Sequence, residues 1–338
     1  MKILFFARSF YPNIGGVEKH VLEISKRLVK MGHQVTVVSE STKKNTNIKN
    51  IYGIKILKIN VGKNEKKKKI IIWKWLWKNR NLIKNADIVH CHDVFYWFLP
   101  FKFMYPQKPI FTTFHGYESY PIRKSAILVR KISEKLSWGN ICIGDFISKW
   151  YGTKPNYVSY GAVEIEKNNE RNIKHKESGV FFGRLDEQTG VLTYSKAIQK
   201  LKQKYPKFKF LVIGDGKYKK LLSKTNKVVG FKKNPEKYFS DYRFAFVSRY
   251  LSILEAFAAK RLVFAVYDSP VKEDYLKMAP FSKFIIIAKD ADDLCKKINF
   301  VLNYPKLEKE YIEKAYTWVK EQTWEVMIKK YLDLWKFV

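Results

Sequence analysis

KILFFARSFYPNIGGVEKHVLEISKRLVKMGHQVTVVSE (residues 2–40) holds two apolar runs on either side of a helix pattern. The first run, 2–8, is almost continuously apolar, as a strand buried on both faces must be. Between the runs, Val17, Val21, Ile24, Leu28 and Met31 recur at spacings of four and three, which is one stripe of a helix. Gly32 follows in the helix-stop position. The second run, 34–40, is the next strand. Strand, helix and strand in this order predict a parallel pair joined by a crossover.

The same grammar runs on. Strands are expected at 86–91, 109–114, 140–144 and 156–160. At 164–177 the text changes to EIEKNNERNIKHKE, polar and without apolar period, so residues 166–177 read as a linker. A second set follows, with strands at 179–185, 209–215, 228–231, 242–248, 262–268 and 284–288. Helices are expected near 190–204, 217–224, 251–260 and 291–303. The expected organisation is an N-terminal domain over 1–165, a second domain over 178–306, and C-terminal helices over 307–338 that cross back to the first. The fold class is α/β, two Rossmann-like doubly wound domains facing a central cleft. Such sheets bind ligands outside the carboxyl ends of their strands.

Composition narrows the partners. The chain has 338 residues, 46% hydrophobic and 28% charged, enough for two packed cores. Its net charge of +34 points to anionic partners: phosphorylated ligands, an anionic membrane face or nucleic acid. No nucleic-acid motif accompanies the charge, which makes nucleic acid the unlikely member of that set. Cys91, Cys142 and Cys295 have neither disulfide nor zinc spacing. They fit a reducing cytoplasm. No run of about 18–20 apolar residues is present to span a bilayer, so any membrane association is expected to be peripheral.

Six places could carry chemistry. Gly15 and Gly16 lie between the first strand and first helix, where backbone can approach an anion. A turn that needs glycine is the plainer alternative. His90 and His92, with Asp93, end a strand two residues apart; with no third histidine beside them in sequence, no metal is assigned. His115 follows the strand 109–114 at the edge that faces the cleft. Arg184 ends the strand that opens the second domain and could grip a diphosphate, or pair with Asp186 or Glu187. Gly214, Asp215 and Gly216 form a strand-to-helix turn. Last, Tyr250, Leu251 and Ser252 open a helix carrying Glu255, a carboxylate able to accept two ribose hydroxyls at once. The plainer reading of Glu255 is a first-turn acid favoured by the helix dipole.

In order, these stretches resemble family 4 of the retaining glycosyltransferases, which have the GT-B fold. YPNIGGVEKHVLEISKRLVKMGHQVTVVS, IVHCHD, FTTFHG, VSYGAVEI, FFGRLDEQTG, FLVIGDG, VVGF, LEAFAAKRLVFA and TWEVMIKKYLDL carry the likeness over most of the chain. The resemblance implies an activated sugar donor, a UDP- or GDP-linked nucleotide-diphospho-sugar, with no cofactor and no metal. It implies transfer with retention to a lipid-linked or saccharide acceptor. Arg184 would hold the diphosphate and Glu255 the ribose. Gly230 and Phe231 would lie near the base, and His115 near the sugar. In the family's usual mechanism the leaving diphosphate helps deprotonate the acceptor.

The chain departs from the pattern at four positions. The family has a glutamate eight residues before the one matched by Glu255; here that position is Val247, and about four residues are missing. A lysine that joins the arginine on the diphosphate would fall near Thr189. Lys260 and Leu262 stand where glycine and proline are usual. These changes keep two alternatives open: a non-catalytic binding or scaffold subunit, and a sugar-nucleotide epimerase of the same fold. Finally, KNEKKKKIIIWKWLWKNRNLIK (63–84) joins the block Lys66, Lys67, Lys68 and Lys69 to Trp73 and Trp77 at helical spacing. This suits a helix lying on an anionic membrane, with a covering helix as the alternative.

Overall fold

The computed structural model describes residues 1–13, 15–42, 49–165, 173 and 175–336. They form two compact units: Met1–Ser159 with Trp324–Val338, and Tyr160–Thr323. Most of the stretch read as a linker, 166–172 and 174, lies outside the described residues. Residues 175–177 belong instead to a strand, because His175 pairs with Tyr242.

The first unit is an eight-stranded sheet in the order β3-β4-β2-β1-β5-β6-β7-β8. Its strands are β1 (Lys2–Ala7), β2 (Gln34–Ser41), β3 (Lys49–Ile51), β4 (Ile54–Asn60), β5 (Ile88–His92), β6 (Ile110–Phe114), β7 (Gly139–Ile143) and β8 (Tyr157–Ser159). All pair in parallel except β3, a short antiparallel edge strand turned at Tyr52 and Gly53. Both turn residues have positive φ, 55° and 77°, the two-residue hairpin geometry that matches strand twist. The strand order reverses between β1 and β5. Helix Gly16–Lys30 buries His20, Val21, Ile24, Ser25 and Leu28 along one face. Met31, counted in the apolar stripe, caps this helix and is 52% exposed.

The second unit is a six-stranded parallel sheet in the order β11-β10-β9-β12-β13-β14. These are β9 (His175–Phe182), β10 (Lys209–Ile213), β11 (Lys227–Val229), β12 (Tyr242–Phe246), β13 (Leu262–Val266) and β14 (Ile286–Ala288). The order is that of a dinucleotide-type doubly wound sheet, and it reverses between β9 and β12. Its core includes Phe181, Val212, Phe244, Phe246 and Phe264, with Phe246 and Phe264 stacked 5.3 Å apart.

The C-terminal helices divide between the two units. Helix Pro305–Val319 stays with the second unit, burying Ile312, Ala315 and Val319. Helix Trp324–Trp335 belongs to the first unit, burying Trp324, Met327, Tyr331, Leu334 and Trp335. Arg27 ties it to the first helix, with Nε 3.1 Å from Glu325 Oε1. Each large ring buried this way stabilises the unit by about 2–3 kcal/mol.

Candidate functional site

In the second unit, Arg184 leaves the carboxyl end of β9 after Gly183. Its side chain is 66% exposed, with Nη1 3.2 Å from Asp186 Oδ2. An ion pair this open contributes little, about 0–1 kcal/mol, so it does not close the guanidinium to a ligand. Glu187, the other acid weighed beside it, accepts from Tyr218 Oη at 2.6 Å and pairs with Lys217. Thr189 is buried, and its hydroxyl donates to the carbonyls of Arg184 and Asp186 at 2.8 and 2.9 Å. It fixes the turn and supplies no charge.

β12 ends at the other side of the same reversal. It leads through Val247, 1% exposed, into helix Tyr250–Ala258. The apolar Val247 is buried as part of the core. The N–H of Tyr250 donates to Tyr275 Oη at 2.8 Å. Leu251 and Ser252 are the next residues of that first turn, whose N–H groups have no partner within the helix. Glu255 is only 6% exposed and sits in the second turn. A charge past the first turn gains little from the dipole, so the first-turn explanation of Glu255 is corrected.

The turn glycines divide into two kinds. A Cβ at Gly214 would lie 1.9 Å from the carbonyl oxygen of Gly183, and one at Gly216 2.7 Å from that of Leu185. Their φ values are +150° and +149°. Close packing of the turn on Gly183–Leu185 thus accounts for both. Asp215 is used inside the turn, accepting from Gly216 N at 2.8 Å and pairing with Lys219 at 2.8 Å. Gly16 is different, with open space where a side chain would go, and at Gly15 a Cβ meets only the flexible Glu18 carboxylate. Phe231, beside Gly230, is 57% exposed.

In the first unit the strand ends gather histidines. Four of the chain's six lie in one cluster: His20, His90, His92 and His115. His92 Nδ1 and His115 Nε2 are 2.9 Å apart, and His20 Nε2 is 2.8 Å from Tyr331 Oη. Burial pushes His20, His90 and His92 well below the ordinary imidazole range, each further depressed by neighbouring histidines. His115 is pushed down to about 3, first by burial and then by the neighbouring His90 and Arg130. Asp93 Oδ1 accepts from His115 N at 3.0 Å and fixes that loop. Among the described residues, His92 Nε2 has no hydrogen-bond partner. His20, His92 and His115 bring one ring nitrogen each within 4.8 Å of one another, a set that could hold a metal ion. Sequence reasoning missed His20 because it lies on the first helix, far along the chain from the others.

The basic helix is also corrected in part. Helix Glu65–Lys78 exposes Lys66, Lys67, Lys69 and Trp77, the last at 54%. Lys68 is buried, 2.6 Å from Glu40, and Trp73 donates from Nε1 to the Tyr96 carbonyl at 2.9 Å. Both face the protein, because the apolar face of the helix (Ile72, Leu76) packs on the sheet. Sequence reasoning overlooked helix Lys124–Leu136, which exposes Leu128 (61%), Val129 (49%) and Ile132 (39%) among Arg123, Lys124, Lys131 and Lys135. Among the described residues no helix is long and apolar enough to cross a membrane.

Two doubly wound parallel-sheet α/β units in one chain are the architecture of the GT-B fold. Two family models match the chain, Glycosyltransferase Family 4 over residues 14–152 and Glycosyl transferases group 1 over 162–318. They support a glycosyltransferase of that family and fold. No curated protein matches the chain by sequence. Solved structures resemble it over their full length. A TarM variant from S. aureus superposes with a TM-score of 0.75 at 13% identity, covering 99% of each chain. Sucrose-phosphate synthase from Thermosynechococcus elongatus gives 0.74 at 14% identity, over 99% of this chain and 98% of the other. HepE from Anabaena gives 0.72 at 13%, over 98% of both. At such identities the likeness shows the fold.

Proposed function

We propose that the protein transfers a sugar from a nucleotide-diphospho-sugar to an acceptor hydroxyl with retention of configuration. The observation that carries this is the placing of Arg184 and the Glu255 helix at the carboxyl ends of β9 and β12, on either side of the strand-order reversal. Glu255 takes the ribose hydroxyls, Arg184 the diphosphate and Phe231, beside Gly230, the base. In the first unit, Gly15 and Gly16 are the candidates for contact with an anionic group of the donor, and His115 for contact with the sugar. HepE was solved with UDP and glucose and TarM with UDP, which favours UDP among the candidate carriers. In the reaction the bond from the anomeric carbon to the diphosphate oxygen breaks, and the bond to the acceptor oxygen forms. The acceptor proton passes to the departing diphosphate, whose growing charge Arg184 offsets. No residue of the chain is required as a nucleophile, and no metal enters these steps.

For the acceptor we propose a lipid-linked or saccharide hydroxyl at an anionic membrane surface on the cytoplasmic side. Helix Lys124–Leu136, with its exposed apolar residues between cations, supports that surface better than helix Glu65–Lys78. A panel of UDP- and GDP-sugars tests the donor by thermal shift and by release of nucleoside diphosphate. A selective shift with turnover is expected. Neither shift nor turnover with any donor would refute the reading. A second reading, a binding subunit without transfer, draws on Val247 in the core and Thr189 in the turn, positions where the resemblance leads one to expect a glutamate and a lysine. It predicts the shift without turnover.

A further inference from the structure

The two strands that flank the reversal in the second unit each deliver a guanidinium to one oxygen. Gln188 Oε1 accepts from Arg184 Nη2 at 3.1 Å and from Arg249 Nη2 at 2.7 Å. Arg184 follows β9, and Arg249 follows β12. The shared acceptor is a neutral amide, not a carboxylate. It aligns two like charges at the place where a doubly wound sheet receives its ligand. Two planar forks of donors side by side suit a group with two linked phosphates, which offers oxygens to both.

Arg249 is also held in place before any ligand arrives. Its guanidinium lies 5.9 Å from the centre of the Tyr275 ring. Tyr275 stacks on Tyr250 at 3.9 Å, and Tyr250 Oη donates to the Tyr275 carbonyl at 2.5 Å. An arginine oriented by packed rings loses less freedom on binding than a loose surface one. It is half-buried.

We propose that Arg249 is the second guanidinium of a diphosphate-binding site, paired with Arg184 through Gln188. The inference deepens the proposed function and rests on its reading that the second unit holds the nucleotide. It gives the chain a second diphosphate cation although Thr189 supplies none.

Isothermal titration of the full chain with UDP, GDP, UMP, GMP and inorganic pyrophosphate tests it, for the wild type, Arg249→Gln and Arg249→Lys. Arg249→Gln is expected to weaken the diphosphate that binds by about tenfold or more, the usual cost of a lost charge-assisted contact. The matching monophosphate should bind as before. Arg249→Lys should fall between, and it carries the reading if Arg249→Gln does not fold. Unchanged diphosphate binding in the folded variants would overturn the proposal, as would equal losses for monophosphate and diphosphate. If the wild type binds no nucleotide, the proposed function fails and pyrophosphate decides. Pyrophosphate binding that is lost in the variants keeps the arginine pair as a site, and no pyrophosphate binding removes it.

Discussion

Trp335 Nε1 donates to His90 Nδ1 at 3.1 Å, across 245 positions of sequence. An indole N–H can only donate, so the neutral imidazole must carry its proton on Nε2. That proton goes to Thr113 Oγ1 at 2.8 Å, and Thr113 is 2.8 Å from Tyr331 Oη, which meets His20. The last helix thus sets the tautomer of a buried chain that ends on the first helix. Trp335→Phe should keep the packing and orphan the His90 acceptor. A loss of about 1–3 kcal/mol is expected in urea denaturation. Unchanged stability would mean that the bond is unimportant.

The buried histidines predict a pH dependence. His20, His90 and His92 are held neutral in the folded chain, below their ordinary value of 6.5. Their contribution is complete above about pH 6.5. As pH falls below that, the unfolded chain takes up protons that the folded chain refuses, and stability drops. Each histidine adds at most about 1.4 kcal/mol per pH unit. Urea midpoints should therefore decline from pH 7 to 5, and His90→Gln should flatten that decline.

Glu255 and Arg184 give the direct test of the donor half. Glu255→Ala should abolish most of the thermal shift with a nucleotide sugar, because ribose hydroxyls lose their charged acceptor. Arg184→Gln should lower affinity for diphosphates by about tenfold. A full shift retained in Glu255→Ala would remove the ribose assignment.

Lys68 and Leu128 separate two helices that look alike in sequence. Lys68→Ala leaves the part-buried Glu40 with only its longer, 3.8 Å pair to Arg8 and should cost about 1–3 kcal/mol, with vesicle binding unchanged in the folded protein. Leu128→Asp with Ile132→Asp should leave the melting temperature nearly unchanged and reduce sedimentation with anionic vesicles. The reverse pattern would return the membrane contact to helix Glu65–Lys78.

Gly214→Ala tests a glycine explained by packing. The added Cβ would collide with the Gly183 carbonyl, so a loss of about 3 kcal/mol or more is expected. Gly16→Ala meets open space and should leave stability nearly unchanged. A nucleotide or sugar assay would then report whether the open face of Gly16 is used by the substrate.

Much of the fold was legible because parallel strands buried on both faces read as apolar runs. β1, β2, β5 to β8 and β10 to β13 appear within a few residues of the expected spans. The hairpin β3–β4 was missed, although its signal, Tyr52-Gly53 before the alternating IKILKIN, was present. Arg249 was missed because a cation at a helix start has no local pattern. Lys68 and Trp73 were misplaced because helical spacing gives a face but not what covers it.

Sequence alone therefore determined the βαβ order, the second-unit turn glycines and the positions of Arg184 and Glu255. Those follow from rules that act within a few residues: apolar period, strand-end turns and motif spacing. Tertiary structure alone decided the rest. It joined His20 to His92 and His115, divided the two C-terminal helices between units, buried Lys68 against Glu40 and set Arg249 beside Arg184. Each of these is a meeting of side chains distant in sequence, fixed by strand order and packing, to which local periodicity is blind.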